Sequence, residues 1–520
     1  MYISLNPISR YATLLLVLLG LHIAKADEEE APSIETAPIE DLTAELPDMT
    51  YTMVQVRAAT IEADRFLPWR NASPSWKNGY GIAVRPGIFL VPETLTRNNS
   101  SLQVRRADTV RPVPAEVIHS DSRVGLALIR ASEEDWFEDA KPLPVANEIP
   151  QNGDFTIVQW GANDHLQVGA GTLLSIGYDS IGDGIPPQLT YELASTLRVS
   201  QPGVPILHNG KLAGISMQFR GGRRAALILS PDSITRFLAA SEDDMYTGIP
   251  EPDFSTKSLA DPVRRRFLGV PETYNENGVY VMSVFPNPDR EHGLQTGDVI
   301  LYWDGQQLDA RGNYEHEEYG RIPFDHLVAR RSPGEAVTAT IVRDREKQDV
   351  EVELRTVAEM HKGIPENETG KPDDYVVSAG LIFRELTIDF LKAFGDRWER
   401  QAEIDLTWHA YTHQEDVDAP LRRTVILVGV LADPINVGYR ELRNKIVTEI
   451  NGQPIENLHD LSQRLDEEGF TSVTFEGMEE VPLQFVPDEV QEANQRIQQR
   501  FQIPEMRRLT SKTDGHKSVD

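Results

Sequence analysis

The chain has 520 residues, 81 acidic against 51 basic side chains for a formal net charge of −30, and no cysteine. That length accommodates about three domains of ordinary size. The charge repels polyanions and disfavours nucleic acid as a partner, and without cysteine there can be no disulfide, no thiolate metal site and no thiol nucleophile.

Residues 1–26 combine Arg10, an apolar run over 12–21 and Ala24-Lys25-Ala26 ahead of Asp27, the pattern of a secretory signal with a small-residue cleavage site. The run is short of the ~20 apolar residues that a membrane span needs. The mature chain is therefore expected to begin at Asp27 and to be exported, to a periplasm or outside the cell. Residues 27–48 are rich in Glu, Ala and Pro, lack periodicity, and read as a flexible acidic leader.

Residues 49–240 form a first folded unit. Apolar alternation over 79–91, 115–129, 155–160, 204–217 and 225–229 predicts short strands separated by turns. Asn209-Gly210 predicts a hairpin turn, and 233–239 a short closing helix. Residues 241–256 are a linker by their Asp, Glu and Pro content. A second unit follows over 257–358, a linker over 359–373 and a third unit over 374–487. Residues 488–520 carry a helix over 489–501 and a polar tail from Arg507 that is expected to be disordered. There is no H-E-x-x-H, no G-x-S-x-G, no P-loop and no dinucleotide fingerprint, so neither metal nor cofactor is expected. The tripeptides beginning at Asn71, Asn98, Asn99 and Asn367 match a glycosylation sequon and are taken as chance.

The order and spacing of the first unit resemble the HtrA/Deg serine proteases, whose landmarks are L-T-N-x-H, S-D-x-x-x-D-L-A-L and G-N-S-G-G-P. Here the corresponding stretches read Leu90-Val91-Pro92-Glu93-Thr94, Ser120-Asp121-Ser122-Arg123-Val124-Gly125-Leu126-Ala127-Leu128, and Ser200-Gln201-Pro202-Gly203-Val204. The resemblance puts Thr94 at the general base, Gly125 at the orienting aspartate and Pro202 at the nucleophile. A serine hydrolase needs a hydroxyl, an imidazole within reach and a carboxylate holding its tautomer. These three residues supply none of them, and proline also lacks the backbone N–H that the oxyanion hole takes from the nucleophile. The alternative, an active serine endopeptidase with a relocated catalytic set, would draw on His119, Ser195 or Ser200. We read His119 as a partly exposed strand residue and the two serines as strand-end and turn hydroxyls.

The second unit resembles a PDZ domain through Gly278-Val279-Tyr280-Val281 and Gly293-Leu294-Gln295-Thr296-Gly297-Asp298-Val299-Ile300. On this resemblance Phe267, Leu268, Gly269 and Val270 are expected to form the carboxylate-binding loop and first groove strand, with the N–H groups of 268–270 around a peptide C-terminus. Residues 321–328 look helical, with His326 as a surface residue. The third unit, with Gly380-Leu381-Ile382-Phe383, Ile435-Asn436-Val437-Gly438-Tyr439 and Asn451-Gly452-Gln453-Pro454-Ile455, is similar to the second PDZ domain of plant-type Deg proteins. The resemblance implies a mainly β chain, a chymotrypsin-like double β-barrel followed by two PDZ domains. It implies a protein-binding scaffold or chaperone-like adaptor that captures polypeptide C-termini or unfolded proteins and forms a homo-oligomer, a trimer or a multiple, or a mixed oligomer with active relatives.

Overall fold

The computed structural model describes residues 46–509, except 62–63, 71–72, 134–135, 152, 162–163, 183–184, 200, 221–224, 243–245, 247, 275, 286–292, 357–363, 366–372, 396 and 414–421. The expected signal segment, most of the acidic leader, Ser200 and the last eleven positions of the tail lie outside these residues.

Six strands, β1 (Met53–Thr60), β2 (Ser75–Arg85), β3 (Ile88–Pro92), β4 (Asn99–Arg105), β5 (Val113–Asp121) and β6 (Leu126–Ala131), close in the order β1-β2-β3-β6-β5-β4. Alternation along β1 sends Val54, Val56 and Ala58 inward to pack with Phe89, Val91 and Phe137, and leaves Gln55 and Arg57 on the outer face. A second barrel follows from β7 (Phe155–Trp160), β8 (Leu166–Asp179), β9 (Gln188–Ser195), β10 (Pro205–His208), β11 (Lys211–Arg220) and β12 (Ala225–Leu229), closed as β10-β11-β12-β9-β8-β7. Asn209 and Gly210 join β10 to β11 with φ of 49° and 70°, the left-handed pair that a two-residue hairpin requires. Helix α1 (Pro231–Ala240) closes the unit, its first turn capped by the Ser230 hydroxyl, which accepts from the Ser233 N–H.

The next sheet runs β13 (Phe254–Lys257), β14 (Val279–Val284), β15 (Val299–Trp303), β19 (Ala336–Arg343), β20 (Glu346–Glu353), with β16 (Gln306–Gln307) on β15 and a separate hairpin of β17 (Asn313–His316) and β18 (Gly320–Pro323). Helix α2 (Pro262–Phe267) precedes β14, and α3 (Asp325–Ala329) follows β18. The helical stretch expected over 321–328 is thus half strand. Arg321 and Ile322 pair with Glu315 and Tyr314, and Pro323 keeps the residue before it extended, so the helix starts only beyond it. The barrel-to-sheet boundary also moves: β13 already belongs to the second sheet, inside the segment read as a linker.

The last sheet has the order β27 (Leu483–Gln484), β26 (Ser472–Phe475), β24 (Lys445–Ile450), β23 (Val425–Val430), β22 (Leu381–Glu385), β21 (Tyr375–Ser378), β28 (Arg507–Arg508), with β25 (Gln453–Pro454) on β24. Helices α4 (Ile388–Lys392), α5 (Trp398–Gln401) and α6 (Ile404–His413) are inserted between β22 and β23, α7 (Leu458–Glu468) lies between β25 and β26, and α8 (Pro487–Phe501) precedes β28. Arg507 and Arg508 are therefore not tail: they pair with Val376 and Tyr375. Gly380 holds φ at 82° with Asn436 and the Leu431 carbonyl so near that a Cβ would collide with both, which is why glycine opens this unit.

The three units touch. From the first barrel, Phe66 meets Phe390 edge-on at 5.7 Å, and Arg65 pairs with Asp373 at 3.1 Å. Asp373 also receives Arg384 at 2.9 Å, and both side chains are buried. On the other side, the Ile149 N–H donates to the Tyr319 hydroxyl at 3.2 Å and the Gln151 amide to the Glu318 carbonyl. His326, expected on the surface, is 1% exposed, because α3 is pressed against the barrel's α1. Its Nδ1 lies 2.6 Å from the Tyr314 hydroxyl and its Nε2 lies 3.4 Å from Asp232, which also pairs with Arg236 at 2.9 Å.

Candidate active site and peptide-binding edge

The seam between the barrels brings together the stretches that carry Thr94, Gly125 and Pro202. Thr94 sits in a 3-10 turn (Glu93–Leu95) that leaves the end of β3. The Glu93 N–H donates to the Gly125 carbonyl at 2.9 Å, which ties that turn to the β5–β6 connection. On the other side, the Tyr80 N–H donates to the Pro202 carbonyl at 3.0 Å, and a Cβ on Gly79 would meet both Leu95 and the Pro202 carbonyl. Gly203, at φ 83°, passes against the Tyr80 carbonyl where no side chain fits. The loop is held from below by Ser216. Its hydroxyl donates to the Gln201 carbonyl and accepts from the Val204 N–H, both at 3.0 Å, while the Gly203 N–H donates to the Ser216 carbonyl at 2.8 Å.

The side chains at this convergence lack the chemistry for acyl transfer. Thr94 has a hydroxyl but no basic nitrogen, and its carbonyl accepts from Lys77 Nζ at 3.3 Å. Gly125 has φ of 75°, and a Cβ built there would point at Ile185 Cδ1 (2.8 Å), Ile181 Cδ1 (3.2 Å) and Met217 Cε (3.3 Å), an apolar wall. The buried carboxylate beside Thr94 belongs to Glu93, which Arg97 engages at 2.8 Å and 3.1 Å. Ser195 is buried at the end of β9 with its hydroxyl accepting from the Leu197 N–H at 3.0 Å. His119 is half-buried on β5, its ring 6.2 Å from that of Tyr246. Among the described residues, no hydrogen bond or ring contact of either joins it to Thr94, Gly125 or Pro202.

Beside Gln201 the seam opens into a polar cleft of about 730 Å3, walled by Gln55, Asn78, Gln103 and Tyr80 of the first barrel and by Gln159 and Asp164 of the second. Arg105 bridges the barrels to Asp164 at 2.6 Å and holds that carboxyl below its ordinary range through their hydrogen bond. The Tyr80 hydroxyl donates to the Trp160 carbonyl at 2.8 Å, and burial raises its pKa.

The peptide site expected at Phe267, Leu268, Gly269 and Val270 is not built as expected. Phe267 ends α2 and is 77% exposed. The N–H groups of Leu268, Gly269 and Val270 donate to the carbonyls of Arg264, Arg266 and Arg265 at 2.9, 3.1 and 3.0 Å. They close a helix C-terminus, and no donor is left for a carboxylate. Gly269, at φ 76°, is needed because the chain turns there against Arg345. The sheet has two edge strands, β20 and β13; among the described residues β13 pairs with β14 alone, and Glu251 just before it bridges to Arg355. Phe254 of β13 stacks on Phe324 at 6.0 Å, so the strand lies alongside the start of α3. Glu251 and Pro252, leading into β13, and Asp325 and Ala329 of α3 line a pocket of about 260 Å3. Sequence reading missed this edge because 250–253 reads Pro-Glu-Pro-Asp. The available signal was Phe254, a lone buried aromatic in an acidic, proline-rich stretch.

Comparison with known proteins agrees with this architecture. PDZ-domain family models match residues 267–354 and 364–509. The chain is 25% identical over 422 residues to the chloroplastic Protease Do-like 2 of Arabidopsis thaliana, covering 80% of this chain and 67% of that protein. It is 24% identical over 407 residues to the mitochondrial Protease Do-like 4 of the same plant, covering 77% and 73%. A probable periplasmic serine endoprotease DegP-like from Hahella chejuensis is 23% identical over 346 residues, covering 62% and 66%. The solved HtrA-type protease AlgW with tripeptide aligns with a TM-score of 0.47 at 16% identity, over 61% of this chain and 97% of that one. Two closed six-stranded barrels joined to two PDZ domains, with Do-like relatives along most of its length, support an HtrA/Deg-type protein with tandem PDZ domains.

Proposed function

We propose that this chain is an exported HtrA/Deg protein without peptidase activity, kept as an oligomeric scaffold or chaperone-like adaptor that holds the ends of other polypeptides at its first PDZ domain. The observation that carries the reading is Pro202. It occupies the loop bonded to Tyr80 and anchored by Ser216, and it offers neither a hydroxyl to attack a carbonyl nor an N–H to stabilise the resulting oxyanion. Loss of one oxyanion donor alone costs about a hundred- to a thousandfold in rate. Thr94 and Gly125, joined to the same seam, add no imidazole and no carboxylate.

Binding is supported by the free edge of β13. An extended peptide adds there as a further strand, and alternate side chains reach the α3 side. The test is fluorescence polarisation with peptides ending in apolar residues, each made as free acid and as amide. Tighter binding of the free acid, lost when Thr256→Pro removes an outward-facing N–H of β13, supports capture of chain ends. Equal binding of acid and amide overturns end capture, and no binding of either overturns the groove. Light scattering of the eluting protein tests assembly, and a monomer at every concentration removes the oligomeric part.

A further inference from the structure

The pocket at the head of β13 contains the Asp325 carboxyl, which accepts from its own backbone N–H but meets no cation among the described residues. Its walls are mostly apolar, with Pro186, Pro250, Pro252 and Pro323 beside Tyr178, and it is closed on the barrel side by the Arg123-Val124 segment next to Gly125. Two charges near its mouth neutralise each other: Arg123 clasps Glu251 through two contacts of 2.6 Å. Asp325 does not share in that pair, and among the described residues its side chain makes no ion pair and no hydrogen bond to another side chain. Burial, and then the nearby Glu251 charge, push its carboxyl up to about 6. An ionised carboxylate facing apolar walls is costly unless a cation meets it, and Tyr178 offers an aromatic surface nearby. At about 260 Å3 the space is smaller than the ~300–1,000 Å3 typical of small-molecule sites and suits one side chain.

We propose that this pocket receives an ammonium or guanidinium group on an apolar stem, a lysine or arginine side chain of the polypeptide bound along β13, with the Asp325 carboxylate as its counter-ion. The polypeptide source rests on the edge-strand reading above; the cation site itself does not. The barrel supplies half of the walls, so a side chain seated there touches both the PDZ domain and the turn that carries Gly125. Because a cation favours the ionised carboxylate, affinity for a cationic side chain should be constant above pH of about 6 and fall by up to tenfold per unit below it.

The experiment uses the whole chain and labelled free-acid peptides of one extended sequence, with lysine, norleucine or glutamate placed in turn at each of the last four positions. We expect one position where lysine is favoured over norleucine by tenfold or more, about 1.4 kcal/mol, with the preference abolished in Asp325→Asn. That variant removes a half-buried charge that meets no cation among the described residues, so it should melt no lower than the parent, and melting curves show that it is folded. Peptides that bind with less than a twofold lysine preference everywhere, or a preference that survives Asp325→Asn, overturn the cation site while leaving the groove standing. A parallel titration with n-butylammonium, followed by the tenfold weaker response of Asp325→Asn, separates the two readings. Amine binding without peptide binding upholds the cation site and refutes its polypeptide source; binding of neither refutes both.

Discussion

Replacing Thr94 by histidine, Gly125 by aspartate and Pro202 by serine puts an imidazole, a carboxylate and a hydroxyl at the three positions that the family resemblance assigns to them. Gly125→Asp is the costly member of that set. The backbone there sits at φ 75°, and a non-glycine residue in the left-handed region costs roughly 1–2 kcal/mol. Its Cβ would stand 2.8 Å from Ile185 Cδ1, with Ile181 and Met217 close behind; forcing extra atoms into packed apolar surroundings costs roughly 1–3 kcal/mol more. A summed loss of about 2–5 kcal/mol lowers the melting of a domain this size by roughly 5–15 °C. Gly125→Ala should show most of that fall without the charge. The carboxylate would also leave toward Ile181 and Ile185 instead of toward position 94, so the triple variant is expected to leave casein intact even where it folds. Calorimetry of the single variants and casein digestion by the triple variant test this. A Gly125→Asp protein that melts within 2 °C of the parent, together with casein cleavage by the triple variant, would refute the reasoning.

Two other perturbations follow from the contacts between units. Burial lowers the His326 pKa in the docked state, so the docked form binds fewer protons; the contact between α1 and α3 is intact above the ordinary histidine value and weakens as pH falls through it. Asp325, raised to about 6, acts with the opposite sign at lower pH. Between pH 7 and 6, glutamate-specific cleavage within 241–253 should therefore speed up in the parent and stay flat in His326→Gln; equal pH dependence in both would remove His326 as the cause. At the third unit, Arg384→Ala removes one of the two arginines that meet the buried Asp373 carboxylate and leaves Arg65, so it should cost about 1.5–3 kcal/mol in urea unfolding, whereas Arg384→Met with Asp373→Asn should recover most of it. A loss below about 1 kcal/mol in the single variant would show the pair to be dispensable.

The barrels were legible because their signal is local. Apolar alternation and the Asn209-Gly210 turn each depend on neighbours in sequence, whereas the three altered motif positions were assigned through the family resemblance. Contacts between units left no such trace. His326 looks like a helix-surface histidine from its neighbours, and only the docking of α3 on Asp232 and Arg236 buries it. The groove was misplaced for a related reason. Phe-Leu-Gly-Val fits the residue types of a carboxylate loop, but Arg264, Arg265 and Arg266 extend a helix into it, and the helix consumes the N–H groups that the function would need. The edge strand β13 is four residues long and hidden in a proline- and acid-rich stretch, where composition outweighs a single buried phenylalanine.

The most direct measurement is the intact mass of the purified chain after prolonged exposure to a fluorophosphonate, with casein digestion run alongside. A protein with Pro202 at the head of its nucleophile loop should show no mass increase and no casein fragments. A stoichiometric adduct mapped to any serine, with casein cleaved, would contradict the reading of this chain as a protease fold without protease chemistry.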